Sequence, residues 1–211
     1  MYEVEQKFRL LVPELFLEKI AALGVTWAAT VEEIDIYFQH PCRDFSKTDE
    51  AFRIRRRVTF SETDDSQNSP IFESCITFKG KRLETETKTR REIELPLAFS
   101  ADAPENIRSL EDLTLATRAW EILLAELGFR AVFPVKKTRR KAWLFWENIR
   151  VEISYDDVPP TGKWAELEIL VPTLEELPAA ERIIRTLAGK LGLTEVEKRS
   201  YLELVMEGMQ K

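Results

Sequence analysis

Apolar and charged residues alternate from the start of the chain. Glu3, Glu5, Lys7 and Arg9 share one parity while Tyr2, Val4 and Phe8 share the other, the period of a β-strand with one charged and one apolar face. One such pleat in isolation suits a solvated surface, but the pattern recurs along the chain. Residues 33–40 form a β-rich run ended by Pro41, and residues 51–60 set Arg53, Arg55 and Arg57 against Phe52, Ile54 and Val58. Residues 71–79 put Lys79 opposite Ile76 and Phe78, and residues 88–95 gather Lys88, Arg90, Glu92 and Glu94 opposite Ile93 and Leu95. A second group follows: 131–146 with Lys137, Arg139 and Lys141 on one parity, 149–155 with Arg150, Glu152 and Ser154, and 163–171 with Glu166 and Glu168 against Ala165, Leu167 and Ile169. The pattern predicts eight strands, each with a charged face.

Helical spacing separates these strands. Residues 13–23 place Leu15, Phe16, Ile20 and Leu23 on a helix opened by Pro13 and followed by Gly24, and residues 103–127 form a long amphipathic stretch that stops at Gly128. The tail reads as two helices, 174–191 and 195–206, parted by Gly192. Residues 61–70 suit a polar hairpin loop, 80–86 a connection, and 156–162 a turn. Amphipathic helices must cover the apolar face of the sheet, so the charged face looks either at solvent or, if the strands close, into a barrel. Periodicity alone leaves these two readings level.

Composition narrows the chemistry. With 211 residues, 44% hydrophobic and 32% charged, the chain is expected to be one soluble domain over 1–211. No stretch approaches the ~20 apolar residues of a membrane span, and no secretory leader is visible, so a cytoplasmic location is expected. A net charge of -6 argues against general nucleic-acid binding, although a basic patch within an acidic shell still focuses an anion. Cys42 and Cys75 are expected to be reduced thiols. His40 is the single histidine, which leaves oxygen as the ligand type for any metal. Nothing in the sequence fixes an oligomeric state.

A barrel interior lined by these pleats would suit a polyphosphate. Guanidinium forks grip phosphate oxygens bidentately, and lysine adds point charges. Carboxylates at i and i+2, Glu3 with Glu5 and Glu166 with Glu168, can hold a hard cation such as Mg²⁺ or Mn²⁺. Without a cation or arginine nearby, such a cluster would raise its own pKa values.

These residues resemble a known family. Glu3-Val4-Glu5-Gln6-Lys7 matches the Glu-x-Glu-x-Lys signature of the CYTH, or triphosphate tunnel metalloenzyme, superfamily. The likeness continues through Phe52-Arg53-Ile54-Arg55, Thr77-Phe78-Lys79-Gly80, Arg90-Arg91-Glu92-Ile93-Glu94, Val135-Lys136-Lys137-Thr138-Arg139, Arg150-Val151-Glu152, Glu166-Leu167-Glu168 and Lys198-Arg199-Ser200-Tyr201. Residues 35–41 and the Asp156-Asp157-Val158 turn look most like class IV adenylate cyclase-like proteins, while Pro159-Pro160 departs from the apolar residue that many relatives carry ahead of the glycine.

The resemblance implies an α+β fold, a closed eight-stranded antiparallel β-barrel forming a triphosphate tunnel with helices outside. It implies metal binding by Glu3, Glu5, Glu166 and Glu168, and triphosphate binding by Lys7, Arg53, Arg55, Lys79, Arg90, Lys137 and Arg139. Lys198 would be catalytic, with Arg199 an equally placed candidate, and Glu152 a further ligand or water-orienting carboxylate. The implied activity is metal-dependent conversion of ATP to cyclic AMP and pyrophosphate. Hydrolysis of tripolyphosphate or thiamine triphosphate is the alternative, and a non-catalytic polyphosphate- or nucleotide-binding module a third. Arg56, pointing away from its neighbours, is expected on the surface, His40 in a structural or solvated role, and Trp120, Trp143 and Trp146 in packing between barrel and helices.

Overall fold

The charged pleats close on themselves. In the computed structural model of the protein, which describes residues 1–62, 69–83, 87–99 and 107–209, all eight predicted strands form. They are β1 (Tyr2–Arg9), β2 (Ala29–Gln39), β3 (Ala51–Ser61), β4 (Ile71–Arg82), β5 (Lys88–Phe99), β6 (Arg130–Trp146), β7 (Ile149–Val158) and β8 (Gly162–Val171). Their order is β5-β4-β3-β2-β6-β7-β8-β1, and a β5–β1 pairing shuts the ring with every neighbour antiparallel. Closure removes the sheet edges and turns one face of every strand inward. β2 starts at Ala29 rather than Glu33, because Ala29 and Val31 still pair with Lys141 and Arg139 of β6. Residues 63–68 of the expected hairpin loop, 84–86 of the expected connection and 100–106 lie outside the described residues.

The outward apolar positions are covered by helices. Phe16 and Ile20 of α1 (Pro13–Ala22), with Ile183, Ile184, Leu187 and Leu191 of α4 (Leu177–Leu191), pack on Val4, Phe8, Val151, Ile153, Leu167 and Ile169. The recurrence of 183, 184, 187 and 191 at helical spacing produces that buried stripe. Each such side chain contributes roughly 1.5–3 kcal/mol relative to exposure. α4 ends where Gly192 takes a φ of 66°, a left-handed geometry that favours glycine. On the other flank, Leu113 and Leu124 of α3 (Leu110–Glu126) meet Val58, Phe72, Ile54 and Phe38. The helix starts at Leu110, where Ser109 caps it, its hydroxyl accepting from the Asp112 amide at 3.1 Å; positions 103–106 of the expected helix lie outside the described residues. A short α2 (Phe45–Thr48) bridges β2 and β3.

The tail departs most from expectation. Residues 195–206 do not form one helix: Val196–Glu197 is a ninth strand, β9, paired with β1 through Lys7↔Glu197 and Phe8↔Val196. β5 covers β1 only from Tyr2 to Glu5, so the edge beyond Glu5 is free to take β9. α5 (Tyr201–Gly208) then begins behind a Ser200–Glu203 capping box. Its Tyr201, Leu204 and Val205 pack on Tyr37, Val135, Val158 and Trp164, laying the helix across one end of the barrel. The interior is thus a basin with α5 across its floor.

Candidate active site

The basin has a volume of about 560 Å³ and is lined by every residue the sequence nominated except Lys198 and its alternative Arg199. Its basic wall is built on β2, β3 and β6. Arg55 donates from Nε and Nη2 to the two oxygens of Asp35 at 2.6 and 2.7 Å, and its Nη1 lies 3.1 Å from Glu33. Arg53 donates to Asp35 at 3.1 Å and to the Tyr37 hydroxyl at 3.3 Å. Lys137 lies 2.8 Å from Glu33. Arg139 is forked by Asp156, accepts no proton itself, and donates also to Glu166, while Tyr201 donates to Asp156 at 2.6 Å.

Burial would raise these anchoring acids, but the guanidinium groups outweigh it. Asp35 falls to about 2 beside Arg53 and Arg55, Glu33 lies well below the carboxylate range under Arg55 and Lys137, and Asp156 is lowered by Arg139. The carboxylates therefore stay ionised and hold the cations in fixed orientations.

The opposite wall, on β1, β7 and β8, carries the acids. Glu5, Glu168 and Glu152 occupy directly paired positions on three adjacent strands. Burial, with Glu3 and Glu152 nearby, holds the Glu168 carboxyl well above its ordinary range, favouring the neutral form. Burial likewise lifts Glu3 to about 7, although Lys79 donates to both its oxygens at 2.6 Å. Glu5 is the contrast: burial raises it, but Lys88, Lys79, Lys7 and Arg90 together hold it low. Glu152 takes Lys141 at 2.8 Å, and Arg90 is tied to Asp49, its Nη1 donating to the backbone carbonyl at 3.2 Å.

The expected single oxygen cage is not preformed. Among the described residues no three acidic, histidine or cysteine groups are gathered closely enough to enclose an ion, and Glu166 is drawn to Arg139 instead. The remaining donor set of Glu3, Glu5, Glu168 and Glu152 still fits a hard divalent cation, because it offers only oxygen and because burial and neighbouring acids disfavour the charged form of Glu168, which a cation would relieve.

Lys198 lies elsewhere. It is exposed, lines a separate cleft of about 70 Å³, and its carbonyl accepts from Arg82 at 3.2 Å. Arg199 is engaged by Glu197 and Glu207, so neither residue points its side chain into the basin. The reason is the β9 pairing, which presents backbone instead: Lys7 and Lys88 both donate to the Arg199 carbonyl, at 2.6 and 3.1 Å. Lys7 is lowered to about 7 by burial and by Lys88.

The structure also adds to the nominated set and corrects it. Lys88, Arg57, Lys141, Glu92, Glu94 and Tyr201 line the basin. The strand parity of the first five marks them, but Tyr201 follows only from the path of the tail. Arg56 is buried rather than on the surface: it points out of the barrel beneath α3, donating to Thr117 at 2.8 Å and to Glu121. Trp146 does pack between barrel and helix, donating to Thr186 of α4 at 3.1 Å, whereas Trp120 and Trp143 are 42% and 39% exposed. The His40 Nδ1 accepts from the amides of Cys42 and Arg43, a structural turn. Cys42 and Cys75 are free thiols.

Comparison with known proteins agrees with this architecture. Residues 1–201 match the CYTH domain model. A curated protein of Methanocaldococcus jannaschii, named "Putative adenylate cyclase", is 28% identical over 97% of this chain and 98% of its own length. A solved structure from Pyrococcus horikoshii is 33% identical, with a TM-score of 0.74 over 98% of this chain and 99% of that one. A Hippeastrum protein described as a "putative adenylyl cyclase" that reveals a dominant triphosphatase activity shares the fold at 15% identity and a TM-score of 0.55, over 98% of this chain and 95% of that one.

Proposed function

The chain belongs to the CYTH domain family, and on that premise we propose that it is a divalent-metal-dependent enzyme that converts ATP to cyclic AMP and pyrophosphate in this basin. The observation that carries the reading is the facing of the two walls: a rank of fixed, buried guanidinium groups opposite a rank of acids, two of which, Glu3 and Glu168, burial holds above the ordinary carboxylate range. Such a pair of walls is complementary to a polyphosphate that arrives with its cation. Arg53 retains a buried Nε with no hydrogen-bond partner among the described residues, a donor available to a ligand oxygen.

In this reading Arg53, Arg55 and Arg139 grip the phosphate oxygens, with Lys7, Lys79, Arg90 and Lys137 adding charge. Glu3, Glu5 and Glu168 would hold Mg²⁺ or Mn²⁺, which when bound neutralises phosphate charge, and Glu152 is left as the base. Glu166 serves the basic wall, positioning Arg139. Cyclisation needs the ribose 3′-oxygen to attack the α-phosphorus, the α–β bridging bond to break and pyrophosphate to leave. The 3′-hydroxyl proton passes to Glu152, whose strand position beside Glu168 puts it on the acidic side of the reacting phosphate. Lys198 has no step, given its place outside the basin.

Hydrolysis is the second reading, favoured by the apposition of Glu152 with Glu168 on paired strand positions, which suits the positioning of a water. Assay of ATP, tripolyphosphate and thiamine triphosphate, each with Mg²⁺ and Mn²⁺, separates the cases. Cyclic AMP with stoichiometric pyrophosphate is the expected product. Orthophosphate from any of the three would establish the hydrolase instead, tight binding without product a binding module, and no binding at all would overturn the reading. No helix among the described residues is long and apolar enough to cross a membrane, and we place the reaction in the cytoplasm.

A further inference from the structure

The acidic row does not end at Glu152. The residue directly paired with Glu152 on the next strand is Trp143 of β6, so Glu5, Glu168, Glu152 and Trp143 form one continuous row across four strands. The side chain of Trp143 is on the basin face. Its neighbours Ala142 and Leu144 are turned outward into the core under α4, and Lys141, two residues before it, lines the basin. The indole is 39% exposed, and the Arg150 guanidinium lies 4.9 Å from its ring centroid. Arg150 has no carboxylate partner among the described residues. An exposed indole backed by an unpaired guanidinium at the rim of a charged basin is not explained by packing.

We propose that Trp143, with Arg150, is the platform on which the base of a nucleoside triphosphate stacks, making the site selective for a nucleotide over inorganic tripolyphosphate. This rests on the proposed function and extends it to the organic part of the substrate. Arg139 lies four residues before Trp143 on the same strand, roughly 13 Å away at about 3.3 Å per residue, a span on the scale of a sugar with its polyphosphate. A base on Trp143 thus leaves the phosphates to run down β6 past Lys141 to Arg139. Adjacent strands are about 4.8 Å apart, so the same base sets the sugar and the first phosphate beside Glu152 and Glu168. The open indole face offers π-stacking, and the arginine adds a flat cation to the same surface.

The test is calorimetric titration of wild type, Trp143→Ala and Trp143→Phe with ATP and with tripolyphosphate, in Mg²⁺ and in chelator, alongside melting curves. We expect Trp143→Ala to weaken ATP by about tenfold or more, the scale of one lost base–aromatic stack, with tripolyphosphate unchanged and Trp143→Phe largely restoring ATP. Equal weakening of both ligands, no weakening of either, or a wild type that binds tripolyphosphate as tightly as ATP would overturn the platform while leaving the triphosphate site intact. A wild type that binds neither ligand would overturn the proposed function itself.

Discussion

The two walls of the basin carry opposite charge and reach it by opposite routes. On β2, β3 and β6 the cations are answered before any ligand arrives: Asp35 spans Arg53 and Arg55, Glu33 spans Arg55 and Lys137, and Asp156 forks Arg139. On β1, β7 and β8 the cations gather on Glu5, which Lys88, Lys79, Lys7 and Arg90 hold low, while burial pushes Glu3 and Glu168 toward their neutral forms. The basic wall is a preset scaffold, stiff because each guanidinium is pinned by a buried charge. The acidic wall stores unfavourable electrostatics that an incoming cation relieves. In the proposed function, affinity for the anion would come from what the fold holds fixed, and affinity for the metal from what the fold leaves unsatisfied.

The sharpest way to break this contrast is to remove an anchor from the basic wall. Asp35→Ala leaves Arg53 and Arg55 buried without their shared carboxylate, and is expected to cost about 3–5 kcal/mol of stability, read from denaturant unfolding. A loss under about 1 kcal/mol would show that the pairs are not what holds the wall.

Next in size is a change to a cation alone. Arg53→Gln keeps a donor for Asp35, which Arg55 still neutralises, so the fold should persist. Triphosphate binding should weaken by roughly 1.5–3 kcal/mol for the lost charge-assisted contacts. Unchanged affinity would place Arg53 outside the ligand's reach.

The acidic wall should respond in the opposite direction. Glu168→Gln removes a buried acid from the cluster and is expected to stabilise the metal-free protein, by about 1.4 kcal/mol for each pKa unit of relieved shift, while abolishing metal-dependent turnover. The pH profile carries the same sign. Glu3 and Glu168 have folded pKa values raised above the ordinary carboxylate range, so the folded state holds more protons than the unfolded chain there. Metal-free stability should therefore fall as pH rises from that range through about 7. Lys7, lowered to about 7, acts oppositely above that point, contributing stability as pH climbs toward the ordinary lysine range. Melting in chelator across this range tests the pattern. A low-pH limb no shallower in Glu168→Gln than in wild type would detach Glu168 from it.

The smallest effect should come from outside both walls. Lys198→Ala is expected to leave triphosphate affinity and turnover within about twofold, since the side chain is exposed beyond the basin. Turnover lost at unchanged affinity would mean that the tail takes another path during reaction, and would return Lys198 to the site.

Much of the basin was legible because strand parity is a local property. A period of two assigns Arg53 and Arg55, or Glu166 and Glu168, to a common face without knowledge of the partner strand. The same parity placed Arg56 on the outer face, but not beneath α3, because a helix whose cap lies more than fifty residues along the chain decides what covers it. His40 and Trp146 fell where local reasoning put them. Trp143 did not, since it stands on the basin face of β6, opposite the face on which α4 covers Ala142, Leu144 and Trp146.

The sequence by itself determined the eight charged pleats, the amphipathic helices that cover them, and the residue types that meet inside, because each follows from the geometry of a few consecutive residues. Tertiary structure alone decided which acids became anchors and which burial raised toward their neutral forms, since Asp35 and Asp156 meet their arginines only through the register of separate strands. It also decided the tail, where a two-residue strand on the free edge of β1 turned Lys198 away and brought Tyr201 to Asp156. Both outcomes depend on pairings between distant segments, and the energy that selects such pairings is shared across the closed barrel rather than carried by any short stretch of chain.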